Sequence, residues 1–282
     1  VNDELMRFFS LCKKFKDRVE NNKTALAEYV NFMNGKEVAN VLDKVIGKLG
    51  LNKNVLEPFD LKTMFVICGS ELALSKGSPW CDLFDDEDME VLEYAIDLKK
   101  YYKYGPAYKI TSDQTCELVS ELFTVMDDVI TVMDRTEDDP DADGFLVGNL
   151  MFGHAETLSP LYSTLGIFND TIPLTAKNFA QHQNRKFRTS DILPFSANIM
   201  IVLYECETND ELVNDEEEYE ELGEDYYVQV LVNEKLIKIP GCAETLCSYN
   251  KFREQHLNQI DECHFDEVCG SESDENKMHD EL

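Results

Sequence analysis

The sequence has no apolar run approaching the length of a bilayer-spanning helix, which excludes a transmembrane anchor within these residues. It has no Cys-x-x-Cys pair, so it carries no thioredoxin-like redox centre. Neither its cysteines nor its histidines fall at zinc-finger spacing, so no structural metal site is expected. Positive charge is scarce. Lys and Arg number 26 against 56 Asp and Glu, a formal net charge of -30, and a surface of that sign repels nucleic acid and anionic membranes. The opening VNDELMRFF has neither the basic stretch nor the cleavage site of a signal peptide. With Val1 in first place, the expectation is that a leader has been removed or that a larger N-terminal part lies outside this sequence.

What is present bounds the class. The 282 residues are 43% hydrophobic, enough for one large or two modest domains with a real core. The last four residues, His279-Asp280-Glu281-Leu282, form a receptor-read retrieval signal, which predicts residence in the endoplasmic reticulum lumen and the HDEL retrieval receptor as a partner. Asn22-Lys23-Thr24 and Asn169-Asp170-Thr171 are then glycosylation acceptor triplets. Nine cysteines are too few for a small disulfide scaffold, but an oxidising lumen lets some of them pair. Spacing favours local bridges Cys263–Cys269, Cys242–Cys247 and Cys68–Cys81, and Cys206 is expected to be bridged or buried. Nine is odd, so one thiol is free or pairs outside the chain.

Apolar periodicity predicts helices over residues 3–20, 36–50 (ended by Gly50), 85–104 and 112–134, a helical or mixed stretch over 61–74 in which Phe65-Val66-Ile67 also fits a short strand, and a turn at Ser78-Pro79-Trp80-Cys81. The helix from residue 85 opens in acids and ends in Lys99, Lys100 and Lys103, a polarity that suits its dipole. After an acidic turn at 137–144 the pattern changes. Residues 145–152 read as a buried strand, 160–165 as a short helix with Pro160 in its first turn, and 175–184 as helical. Ile199–Tyr204 reads as a second apolar strand, and residues 226–232 and 235–240 as a hairpin around Asn233-Glu234. A helix is expected over 248–262 and a polar, accessible tail from Gly270. The expected organisation is therefore a mainly helical cap domain (1–110), an α/β domain (111–270) and a tail (271–282). The α/β part has few strands for its size, so some of its sheet is expected outside this sequence.

The chemistry gathers at Gly153-His154-Ala155-Glu156-Thr157, between the expected strand and the helix at Pro160. Strand ends of open α/β sheets collect ligands, and a helix N-terminus offers free N–H groups to an anion. Here His154 can donate to a phosphate oxygen and Glu156 can deliver a proton to a leaving oxygen. A His and a Glu in a loop are, on spacing alone, more often ordinary surface residues.

The sequence resembles the C-terminal part of a multiple inositol polyphosphate phosphatase, a branch of the histidine acid phosphatases. The resemblance runs through Leu5-Met6-Arg7-Phe8-Phe9, Ser78-Pro79-Trp80-Cys81, Val91-Leu92-Glu93-Tyr94 and Gly153-His154-Ala155-Glu156-Thr157-Leu158. It continues through Arg185-Lys186-Phe187-Arg188, Leu193-Pro194-Phe195-Ser196-Ala197-Asn198 and Leu231-Val232-Asn233-Glu234-Lys235. It implies part of a histidine phosphatase (phosphoglycerate mutase-like) three-layer α/β core with a mainly helical domain. It also implies hydrolysis of inositol polyphosphates, the hexakisphosphate included, and of 2,3-bisphosphoglycerate, through a phosphohistidine and without metal or cofactor. His154 matches the family's phosphoryl-holding histidine and Glu156 its proton donor. The family's nucleophile lies in an Arg-His-Gly-x-Arg-x-Pro motif, and no such motif occurs here. The five histidines are His154, His182, His256, His264 and His279, and none is flanked that way. The chain alone is therefore expected to be inactive.

Two further features concern charge. Arg185, Lys186 and Arg188 are the densest basic stretch of the second half, and are candidates for phosphate contact or for ion pairs with the abundant acids. Lys99, Lys100 and Lys103 are a weaker candidate. Asp139-Pro140-Asp141-Ala142-Asp143-Gly144 opens like a calcium-binding loop, but Leu150 stands where the bidentate Glu belongs, so it reads as an acidic turn. The competing functional class is a catalytically inactive luminal binding protein or calcium buffer, suited by the acid excess and the retrieval signal.

Overall fold

The computed structural model describes residues 4–75, 77–138, 146–206, 226–261 and 263–270. In chain order the elements are α1 (Glu4–Leu11), α2 (Lys13–Phe15), α3 (Ala27–Met33), α4 (Lys36–Leu49), α5 (Pro58–Ser75), α6 (Asp86–Lys103) and α7 (Lys109–Asp113). Then come α8 (Cys116–Asp138), α9 (Ala155–Thr164), α10 (Thr189–Ile192), β1 (Ile199–Glu205), β2 (Tyr226–Val232), β3 (Lys235–Ile237), β4 (Leu246–Ser248), α11 (Tyr249–Glu254), α12 (Leu257–Asp261) and α13 (Phe265–Cys269). No helix among the described residues is long and apolar enough to cross a membrane.

Two compact units emerge. The first takes residues 1–16, 109–167 and 197–282, and the second residues 17–108 and 168–196. Residues 4–16 pack with the sheet-bearing unit, and residues 168–196 with the helical one, so neither unit is a continuous stretch of sequence. The expected tail from 271 lies outside the described residues, as do the acidic turn at 139–144 and most of the acidic stretch after Cys206.

The helical unit is built from α3 to α6. Gly50, at φ +64, closes α4, as expected for a left-handed C-cap. Asp85 caps α6 through a reciprocal pair. Asp88 N–H donates to Asp85 Oδ1 at 2.9 Å, and Asp85 N–H to Asp88 Oδ2 at 3.2 Å. Its core holds Phe32, Met33, Leu61, Leu92, Tyr94 and Leu98, all essentially without exposure.

In the other unit the sheet is antiparallel, β2 pairing with β1 along its length and with β3 and β4 at its two ends. Burial on β2 alternates. Tyr226, Val228, Val230 and Val232 face inward, the period-2 pattern of a strand with one covered face. Asn233 (φ 49) and Glu234 (φ 66) both take the left-handed conformation that a two-residue hairpin turn demands.

Three expectations are corrected. No strand forms at 146–152. These residues are not in any ladder, and Leu146, Val147, Leu150 and Phe152 are 53%, 94%, 84% and 86% exposed. An apolar run becomes a strand only with a partner, and among the described residues it has none. The helix placed at Pro160 begins instead at Ala155, with Pro160 inside it. The region read as helical at 175–184 contains one 3-10 turn, Phe179–Gln181.

The bridges also differ in part. Cys68–Cys81 and Cys242–Cys247 form as spacing suggested. The expected Cys263–Cys269 bridge does not. Cys269 joins Cys12, and Cys263 joins Cys116. Cys206 is unbridged and half-buried. Four disulfides are those of a protein folding in an oxidising, secretory-type compartment.

Candidate active site

The Gly153–Thr157 segment is fixed by its own backbone and by α1. His154 is the N-cap of α9, extended at φ -117, ψ 168. Its carbonyl accepts from Thr157 N–H at 2.9 Å and Leu158 N–H at 3.1 Å, which starts the helix. Its own N–H donates to Thr157 Oγ1 at 3.2 Å, and that hydroxyl donates onward to Met6 O at 2.7 Å. Thr157 is buried, so one small side chain pins the helix start to α1. α1 is kinked at Arg7 (φ -127, ψ 31), one residue beyond that contact. Gly153 leaves room for the Met6 side-chain end and the Thr157 hydroxyl. A Cβ there would lie 2.9 Å from Met6 Cε and 3.0 Å from Thr157 Oγ1. Phe9 meets the His154 ring edge-on, 6.3 Å between centroids at 86°.

This arrangement leaves His154 exposed and puts Glu156 half-exposed in the first turn of α9. The two residues flank the positive end of a ten-residue helix, which attracts an anion. The earlier helix start turns Glu156 from a loop residue into a helical one.

The basic stretch lies in the helical unit, and most of it is engaged internally. Arg185 is buried. Its Nε donates to Asp97 Oδ2, its Nη2 to Glu93 Oε2 at 3.0 Å, and its guanidinium lies 5.2 Å from the Tyr94 ring. Asp97 also accepts from Thr189 N–H at 2.8 Å and from Thr189 Oγ1. Burial pushes its carboxyl up, with these donors acting the other way. Arg188 Nη1 pairs with Glu93 at 3.1 Å, and its Nη2 donates to Gln183 O. Of the three, Lys186 alone has an exposed side chain. In a chain so rich in acids, arginines meet carboxylates, and the ion-pair alternative is the geometry found at Arg185 and Arg188.

One neighbour of Lys99 escaped sequence reasoning. Burial, followed by the charges of Lys62 on α5 and of Lys100 and Lys103, lowers the pKa of Lys99 on α6. Lys44 and Lys103, by contrast, hold Asp88 at 2.8 Å and Glu20 at 3.0 Å. No spacing rule could have flagged Lys62, since it nears Lys99 only when two helices pack.

Comparison with known proteins fits this architecture. Residues 2–233 match the family model of the histidine phosphatase superfamily (branch 2). The chain is 38% identical to "Multiple inositol polyphosphate phosphatase 1" of Gallus gallus over 283 residues, covering all of this chain and 60% of that protein. It is 38% identical to the Homo sapiens protein of the same name over 271 residues, covering 95% of this chain and 52% of that protein. The chain therefore spans a little over half the length of these relatives. The crystal structure of the phytase from D. castellii superposes with a TM-score of 0.63 at 18% identity, over 94% of this chain and 49% of that one, a likeness of fold. From the matched span and the shared fold, the chain belongs to branch 2 of the histidine phosphatase superfamily.

Proposed function

We propose that the chain carries the proton-donor half of a phosphomonoester hydrolase acting on inositol polyphosphates, the hexakisphosphate included, and on 2,3-bisphosphoglycerate. The observation that carries this reading is the pinned start of α9, where His154 and Glu156 stand at one helix N-terminus, in a superfamily of histidine phosphatases. Relatives 38% identical are named for inositol polyphosphates, which supports the substrate class.

In this mechanism a histidine nucleophile attacks phosphorus while His154 donates a hydrogen bond to a phosphoryl oxygen. Glu156 gives its proton to the leaving alcohol, and the phosphohistidine is hydrolysed as Glu156 takes a proton back from water. No metal or cofactor enters. The sequence has no Arg-His-Gly-x-Arg-x-Pro motif, so turnover depends on a form of the polypeptide that supplies the nucleophile. In such a form, Glu156→Gln is expected to lower kcat roughly 100- to 10,000-fold, the usual span for a lost general acid, with phosphate binding retained. Unchanged turnover would remove Glu156 from the role.

The compartment reading is residence in the endoplasmic reticulum lumen, supported by the four disulfides and the terminal His279-Asp280-Glu281-Leu282, with the retrieval receptor as partner and Asn-x-Thr triplets open to glycosylation. The net charge of -30 and the terminal retrieval signal suit a second reading, an inactive luminal binding protein or calcium buffer. Calorimetric titration separates the two. Weak uptake of many calcium ions with no heat from inositol hexakisphosphate would select the buffer.

A further inference from the structure

The two Asn-x-Thr triplets both lie in the helical unit, and their asparagines differ. Asn22 is engaged. Its Oδ1 accepts from Thr24 N–H at 3.0 Å and from Thr24 Oγ1 at 2.7 Å, and its Nδ2 donates to Arg18 O at 3.1 Å. Asn169 is exposed, and its amide has no hydrogen-bond partner among the described residues. It follows Phe168, which takes a left-handed φ of 59. Its neighbour Asp170 is held elsewhere, accepting from Lys186 N–H at 2.8 Å and Phe187 N–H at 3.0 Å. The acid beside the acceptor is thus satisfied by two amides.

Next to the triplet lies an open hollow of about 360 Å³ whose lining includes Thr171, Ile172, Gln181, Gln183 and Asn184. The three amide side chains belong to exposed residues, and Ile172 is 55% exposed. With Asp170, Ala180, His182 and Arg185 completing the lining, and Gln183 Nε2 donating to Phe179 O at 3.4 Å, the exposed amides of Gln181 and Asn184 beside Ile172 suit the ring hydroxyls, acetamide and methyl group of an N-acetylhexosamine.

We propose that Asn169 carries an N-linked glycan and that its first N-acetylhexosamine rests in this hollow. The proposal rests on the luminal reading above, because the modifying chemistry operates in that compartment. Asn169 Nδ2 forms the bond to the sugar C1, the C1–oxygen bond to a lipid-diphosphate oligosaccharide donor breaks, and the amide proton leaves with the released diphosphate. Transfer to the growing chain needs only the triplet, and the folded surface then has to leave room for the sugar. At Asn169 it leaves a seat.

The test is to express the full chain in a eukaryotic secretory host, trim it with an endoglycosidase that leaves one sugar, and map the peptides by mass. The Asn169 peptide is expected to carry one N-acetylhexosamine, and Asn169→Gln and Thr171→Ala each to lose one glycan by gel mobility. Release from Asn169 should be several-fold slower in native than in denatured protein, and Ile172→Asp should abolish that difference. An unmodified Asn169 in protein whose Asn22 is modified overturns the proposal and leaves the compartment reading standing. Both asparagines unmodified, with the cysteines reduced, overturns the two together. A modified Asn169 trimmed equally fast in native and denatured protein overturns the seating.

Discussion

At the scale of single residues, polar groups in this protein are decided by who their partner is. Arg185 sits at the centre of a buried set with Asp97, Glu93 and Thr189. Removing one member of such a set leaves a buried charge without compensation. Arg185→Ala is therefore expected to destabilise the helical unit by about 3–5 kcal/mol, read from the urea midpoint, and Arg185→Met with Asp97→Leu by much less. Normal stability in Arg185→Ala with a raised KM would return Arg185 to substrate contact. His256 is a different case. It is buried against Phe123 and Phe252, 5.6 and 5.3 Å between ring centroids, and its Nε2 has no hydrogen-bond partner among the described residues. Burial pushes its pKa from 6.5 down to about 4. The unfolded chain thus binds a proton more readily than the folded one, and the stability His256 contributes is complete above pH 6.5 and declines as pH falls towards 4. The full span is about 3 kcal/mol, because moving a pKa by one pH unit on folding is worth ~1.4 kcal/mol. His256→Phe should flatten this part of the stability profile. An unchanged slope between pH 7 and 4.5 would show the ring to be solvated.

At the scale of elements, the segment ahead of the site has the least support. Residues 146–152 present Val147, Leu150 and Phe152 to solvent with no partner strand among the described residues, and an unpaired apolar segment invites association. Val147→Lys with Leu150→Lys is expected to reduce self-association in light scattering and to leave the Cys12–Cys269 bridge intact. Equal scattering would place the sticky surface elsewhere. The same segment marks the limit of what the sequence can tell. The hairpin was legible because Asn233-Glu234 and the alternation on β2 are local signals. So was α6, whose cap is written in Asp85 and Asp88. A strand at 145–152 is suggested by an apolar run that is local, whereas pairing needs a partner distant in sequence. Glu156 is found through its triplet. Its helical setting is not, because Pro160 is a favoured first-turn residue and draws the expected helix start five residues too late. Lys62 carries no signal at all.

At the scale of the whole molecule, the covalent frame and the compartment bear on each other. Cys12–Cys269 and Cys116–Cys263 span 257 and 147 residues, so each ties distant parts of the sheet-bearing unit, the second loop nested within the first. Cys68–Cys81 and Cys242–Cys247 span 13 and 5. In the loop-closure picture a bridge restrains the unfolded chain more as its loop lengthens, from about 3 kcal/mol for a short loop to about 5 for the longest. Cys12→Ala with Cys269→Ala is therefore expected to lower stability more than Cys68→Ala with Cys81→Ala, each loss lying at about 2–5 kcal/mol by urea unfolding. Equal losses would mean that local packing around each sulfur outweighs the restraint on the unfolded chain. The order matters for where the protein can exist. Long-range bridges form late and need a sustained oxidant, so a chain that depends on Cys12–Cys269 should fold poorly in a reducing cytosol and recover in a secretory-type compartment. Soluble yield of the parent and of the two double variants, compared in reducing and oxidising hosts, makes that dependence measurable. If the parent gains from the oxidising host and the Cys12/Cys269 variant does not, the bridge is what ties folding to the compartment.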